Sequence, residues 1–272
     1  MQARRVDGQY VTDDRERRNG EVGRGELRDP WICSDAVRST PPQVLVASSQ
    51  DNLAPTDIYA IDPNGITQDR LLGTVRMGNE VRPSLFDIAI DREGELWGIS
   101  SDRLYQVDLG TLVASDRGSL NLSLRVANAL AVSPTGRMIL ATLDGTIREV
   151  NTSNASTRQL GSLGSGFGSD GDIGFSADGR FYVSSTSVTS SVLFVLELEP
   201  FSARRIDPGH SSGFSRVFGL ASADGVMYGF TTNPMNPAAG QVIRLSTSTG
   251  EGILVRNLGF PVVGATEARF VR

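Results

Sequence analysis

Asp91-Arg92-Glu93-Gly94 returns as Ser133-Pro134-Thr135-Gly136, as Ser176-Ala177-Asp178-Gly179 and, one residue shorter, as Ala223-Asp224-Gly225. The closing glycines lie 42, 43 and 46 residues apart. Glycine suits the end of such a turn because the backbone there swings to positive φ, where a Cβ is strained. A turn repeated at this period, with β-rich sequence between its copies, is the pattern of propeller blades.

Outward from the turns the same order of segments recurs. Phe86-Asp87-Ile88-Ala89-Ile90 precedes the first turn, Asn128-Ala129-Leu130-Ala131-Val132 the second, Gly171-Asp172-Ile173-Gly174-Phe175 the third and Phe218-Gly219-Leu220-Ala221-Ser222 the fourth. Ala89, Ala131, Gly174 and Ala221 form a column of small residues, as strands crowded about a central axis require. After each turn comes a strand rich in β-branched and aromatic residues, such as Leu96-Trp97-Gly98-Ile99 and Phe181-Tyr182-Val183-Ser184. A third strand follows, at 104–108, 146–151, 192–198 and 241–246, and then a weaker, more polar fourth that suits an outer edge.

The stretch before the first complete unit supplies strands at 44–48, 57–62 and 70–74 but no inner strand. Glu267-Ala268-Arg269-Phe270 at the other end has no second strand after it. The expectation is that this C-terminal strand completes the first blade, which removes the two open edges a ring would otherwise leave at its seam. The fold class is therefore all-β, a β-propeller of five four-stranded blades over residues 44–272. Six blades, the alternative, would require a blade inside residues 1–43, which show no strand pattern. Those residues, with 8 Arg and 8 acidic residues, read as a flexible N-terminal extension in which Trp31-Ile32-Cys33 is the apolar cluster.

Composition narrows the chemistry. All 26 basic residues are Arg, so neither a lysine Schiff base nor a phosphate-loop lysine is available. A net charge of −5 and a pI near 5.0 leave no basic footprint for nucleic acid. One cysteine excludes an internal disulfide and one histidine a multi-histidine metal centre. No apolar run is long enough to span a bilayer and no signal-peptide pattern opens the chain, so cytoplasmic and exported locations, like oligomeric state, stay open.

Gly171 to Tyr182, with Ala131-Val132-Ser133-Pro134-Thr135-Gly136-Arg137, resembles the repeats of bacterial propellers of the NHL, YVTN and gluconolactonase-like kind. The resemblance covers roughly residues 44–272 and implies a fold shared by many activities. The gluconolactonase-like members imply in addition a metal held by Glu, Asn and Asp within the channel. The Gly-His and Trp-Asp marks of WD40 blades are missing.

Two readings of the sites follow. The inner-strand column places Asp87, Asp172 and Glu267 near one axial mouth with Asn128 beside them, an oxygen set suited to calcium. In a cation-dependent, lactonase-like hydrolase these four would be the metal ligands. The plainer reading gives each carboxylate backbone N–H groups at a blade junction to hold. On the other side stands a non-catalytic binding module, because the connections from strand two to three and from four to the next blade read as longer than the rest. That face would take a protein, peptide or glycan, with Phe167, His210, Phe214, Asn233 and Asn236 as its candidate contacts. Phe167, Phe214 and Phe260 equally suit plugs between blades. No Gly-x-Ser-x-Gly elbow accompanies His210, and the glycine-rich stretch from Gly161 reads as a flexible loop.

Overall fold

The computed structural model describes residues 44–50, 54–78, 82–176, 179–187 and 189–268, and the backbone of 4–6 and 9–11. The chain divides into two units, Met1–Arg38 and Ser39–Arg272. In the first, β1 (Arg4–Val6) and β2 (Gln9–Val11) pair antiparallel, Val6 opposite Gln9. The expectation of no strand pattern in this stretch is thereby corrected. Asp7-Gly8, a favoured two-residue hairpin connection, separates the two strands in sequence and was the signal for them. Trp31-Ile32-Cys33 and Arg269-Phe270 lie outside the described residues.

The second unit is a ring of five four-stranded antiparallel blades, with no helix among the described residues. Blade one holds β3 (Val44–Ser48), β4 (Asp57–Ile61) and β5 (Arg70–Thr74). Blade two is β6 (Asp87–Ile90), β7 (Leu96–Ile99), β8 (Arg103–Asp108) and β9 (Val113–Ser119). Blade three is β10 (Ala127–Val132), β11 (Met138–Thr142), β12 (Thr146–Val150) and β13 (Thr157–Ser162). Blade four is β14 (Gly168–Phe175), β15 (Phe181–Thr186), β16 (Val192–Leu198) and β17 (Phe201–Arg205). Blade five is β18 (Val217–Ala223), β19 (Val226–Asn233), β20 (Asn236–Leu245) and β21 (Gly252–Asn257). The last strand, β22 (Gly264–Glu267), pairs with β3 and gives blade one its inner strand.

Alternation along the strands builds the core. Leu45 and Ala47 face blade two while Val44 and Val46 face blade five, so one strand feeds two different junctions. All five junctions carry such a core, and because both faces of each blade are buried the inner strands read as nearly continuous apolar runs. Each fully buried Leu or Ile contributes about 2 kcal/mol by loss of water contact.

The recurring turns have the expected geometry. Gly94, Gly136 and Gly179 donate to the carbonyls of Asp91, Ser133 and Ser176 at 3.1, 2.8 and 2.9 Å, with φ of 87°, 84° and 80°.

Loop lengths depart from expectation. Connections from strand two to three span only 100–102, 143–145, 187–191 and 234–235, and 49–56 alone is long. The stretch 231–240, whose two Asn-Pro pairs have the composition of a loop, is the end of a hairpin in which Asn233 faces Asn236. Pro237 fits in β20 because β21 stops opposite Gln241 and leaves that edge without a partner strand. Gly161–Ser169 is likewise not a free loop. Its ends belong to β13 and β14, the connection 163–167 between them is short, and it packs against the 143–145 turn, where a Cβ on Gly168 would fall on the Leu143 carbonyl. The connections from strand four to the next blade travel from the rim to the axis and vary in length, from 163–167 to 75–86. On the opposite face the 62–69 turn is also long, held by Asp62 accepting from Asn64 and Ile66 at 2.9 and 2.8 Å.

Candidate functional site

Each inner strand pairs with its blade along one edge and turns the other toward the axis, so its backbone N–H groups there need partners. Side chains supply them. Leu130 N–H donates to Asp87 Oδ2 at 2.6 Å across the junction of blades two and three. Leu220 N–H donates to Asp172 Oδ2 across four and five, and Ala265 N–H of the closing strand reaches the same oxygen at 3.4 Å. Ile90 N–H donates to Thr266 Oγ1 at 3.1 Å between one and two. Asn128 Nδ2 donates to the Ser169 carbonyl at 3.0 Å between three and four.

Asp87 and Asp172 are fully buried and hydrogen-bonded to each other across the channel. Burial foremost, then the charge of Asp172, raises Asp87 well above the usual carboxylate range. Burial raises Asp172 too, opposed by its hydrogen bond from Asp87 and by N–H donors. Two adjacent carboxylates out of water cannot both ionise, so the pair holds a proton between them.

The pairing of β22 with β3 sets Gly264, and not Glu267, level with Asp87 and Asp172. The alignment of Glu267 with Asp87 is corrected by three residues. The reason is steric, since a Cβ at Gly264 would fall on Asp87 Oδ1 and within 2.8 Å of Asp87 Cα. Only glycine leaves room for the carboxylate. Glu267 lines the opposite mouth with Ile90, Val132 and Phe175. Of the four candidate ligands, Asp87 and Asp172 meet, Asn128 lies one residue nearer the face where the inner strands begin, and Glu267 is at the far end. Among the described residues no group of three or more His, Cys, Asp or Glu is placed to hold a metal ion.

Above the acid pair, on what we term the upper face, the channel opens into a funnel of about 430 Å³. Every blade contributes the residue before its inner column: Phe86, Asn128, Gly171, Phe218 and Val263. Val126, Leu143, Ser101 and Asp170 complete the wall. Three of these strands are irregular at this level. In β10 the pairing steps from Ala127 to Ala129 against adjacent residues of β11, which leaves Asn128 as the extra residue. In β18 the same step makes Phe218 the extra residue, and in β14 the register breaks between Ser169 and Ile173, around Asp170 and Gly171. Bulges give up ladder pairing to aim a side chain, and all three aim at one cavity. Gly171, at φ 153°, makes space for the Phe218 ring, whose Cδ1 would lie 2.9 Å from a Cβ there.

Polar groups of the funnel are unevenly used. Asp170 is occupied, accepting from Val217 N–H at 3.1 Å and from the Ser191 hydroxyl. Asn128 is 7% exposed and its Oδ1 has no hydrogen-bond partner. The Ser169 carbonyl accepts from the other end of the amide, so the unpartnered end is the oxygen. At the lip, Leu143 is 54% exposed; Leu124, in the connection from β9 to β10, is fully exposed with φ of 71°. A left-handed backbone on an exposed leucine is uncommon and strained.

The five residues expected on the ligand face lie outside the funnel wall. Phe167 meets Phe194 edge-on with centroids 5.0 Å apart, and Phe214 packs into the junction of blades four and five. Phe260 stacks on Tyr59 at 3.7 Å. All three are plugs. Asn233 and Asn236 accept from Met235 and Ala238 N–H groups in the exposed hairpin. His210 is exposed, with Nδ1 2.8 Å from Asp207 and Nε2 3.8 Å from Glu251, and the carboxylate of Asp207 raises its pKa. The sequence did carry a signal for the funnel, because Phe86 and Phe218 head two of the aligned inner segments.

No protein-family model and no curated protein matches the chain. Among solved structures, a nidogen/laminin complex aligns at 14% identity and a TM-score of 0.52 over 85% of this chain and 87% of that one. The likeness is one of fold. Virginiamycin B lyase from Staphylococcus aureus aligns at 12% identity and 0.45, covering 82% and 72% of the two chains. A Bacteroides thetaiotaomicron protein of unknown function gives 12% and 0.46 over 76% of this chain, which spans 56% of that one. The resemblance to bacterial propeller repeats thus stands at the level of the fold. No helix is long and apolar enough to cross a membrane among the described residues.

Proposed function

We propose that this protein is a non-catalytic binding module that takes a protein or peptide ligand at the funnel on its upper face. The observation that carries the reading is the coincidence of three strand bulges at one level, each contributing funnel wall. A ring meant only as a scaffold gains nothing from interrupting its inner ladders there. Phe86, Phe218, Val126 and Val263 offer apolar wall, and Leu143 extends it outward on an exposed turn, the arrangement in which one apolar side chain is buried and its flanks are gripped. The two acids beneath are engaged in holding the ring together.

Random-peptide phage display on the immobilised full chain tests this, with Leu143→Arg as the counter-target. Leu143 is half exposed, so the change leaves the core alone while placing a charged group in the mouth. Enriched peptides that bind the wild type and lose at least about tenfold on the variant support the reading. No enrichment, or equal binding to both, overturns it.

A further inference from the structure

We infer that the ligand's anchor in the funnel is a primary ammonium group, the lysine side chain of a protein or peptide. This inference rests on the binding reading above and adds the chemistry of the anchor. Three features of the cavity converge on it. The two aromatic rings of the wall, Phe86 and Phe218, come from blades two and five, and aromatic faces attract a cation through their quadrupole. The deep polar atom without a partner is an acceptor, Asn128 Oδ1, so its missing partner is a donor. One residue below the rings sits the Asp87–Asp172 pair, an acidic floor, and Asp170 adds a carboxylate to the wall.

Among the described residues no lining side chain is basic, so nothing in the wall neutralises this field. The hydrogen-bond donors that meet these carboxyls are neutral N–H and O–H groups, so a cationic ligand is the partner whose charge complements the wall. The donor count distinguishes the cations. A guanidinium carries five N–H donors in a planar fork and seeks paired acceptors, whereas one amide oxygen suits a compact ammonium. A quaternary ammonium would satisfy the rings and leave Asn128 Oδ1 orphaned. The methylene stem of lysine matches the apolar wall between lip and floor.

The test uses the peptides selected on the full chain. A lysine shared by the selected peptides is the expected result, and replacing it by norleucine, which keeps the stem and removes the ammonium, lowers affinity at least about tenfold by calorimetry. Replacement by arginine weakens binding less than norleucine does, but measurably. On the protein, Asn128→Leu is expected to erase the preference for lysine over norleucine. Because Asn128 also ties blades three and four, Phe218→Leu provides a second variant that keeps the apolar volume, and it reduces the same preference severalfold. Selected peptides without lysine, or a norleucine peptide that binds as well as its parent, overturn the ammonium inference and leave the binding reading standing. Failure of the selection itself overturns the binding reading.

Discussion

Replacing Asp87 by Asn should change how stability depends on pH, and the size of the change follows from the channel. In the wild type the folded chain keeps a proton on the Asp87–Asp172 pair because burial opposes its loss, as does, at Asp87, the charge of Asp172. The unfolded chain releases that proton near pH 4. Above this pH the folded state binds more protons than the unfolded, so stability falls as pH rises until the folded pair ionises. One proton corresponds to about 1.4 kcal/mol per pH unit, or about 2.7 kcal/mol over two units. Asn at position 87 keeps an acceptor for Leu130 N–H and a donor for Asp172, but the Ile88 N–H loses the oxygen that accepts it at 2.8 Å. Near pH 4.5 the variant should therefore be less stable by about 1–2 kcal/mol. With no proton to hold at position 87, and Asp172 alone still raised by burial, its decline should be the shallower of the two, so the curves should converge and cross at higher pH. Urea unfolding followed by the fluorescence of the buried Trp97, across about pH 4.5 to 7, measures both. Titrations elsewhere cancel in the difference between the proteins. A difference that stays flat across this range would refute the shared proton.

Other perturbations test the seam and the turns. Gly264→Ala should destabilise by about 3 kcal/mol or more because its Cβ meets Asp87, whereas Gly179→Ala, with φ of 80° and open space, should cost only about 1–2 kcal/mol in the same assay. Arg256 in blade five bonds Asp69 twice, at 2.9 and 2.6 Å, and the Asp62 carbonyl at 2.8 Å in blade one, so Arg256→Ala should lower the thermal midpoint by loss of about 2 kcal/mol. Equal midpoints would show that this second clasp of the ring contributes nothing. His210→Gln should remove a stabilisation that is present below the unfolded imidazole pKa and vanishes as pH rises through the raised folded value. A melting-point difference between the two proteins that grows above pH 8 would contradict that sign.

What was legible in the chain is what short-range chemistry controls. The turn glycines mark positive φ, the alternating residues mark strands buried on both sides, and the missing inner strand of blade one points to the C-terminus for its closure. Five blades follow from these local signals added together, because each blade is specified within about 45 residues of sequence. Loop character was less legible, since Asn233-Pro234 and Asn236-Pro237 have the composition of a loop and become a hairpin only because β21 ends short of them.

The channel was decided by tertiary packing. Nothing near Glu267 says that the closing strand stops with Gly264 beside Asp87; the clash a Cβ would make with a carboxylate nearly 180 residues away sets that register. Bulges at Asn128, Gly171 and Phe218 are equally silent in one dimension, because each depends on the strand opposite and on the width of the axis it shares with four others. The sequence by itself determined that there would be a ring of five and which residues line its inner strands. Only the closed ring decided which of those residues tie blades together and which look into the funnel, since that depends on distances across the axis that no neighbour in sequence can report.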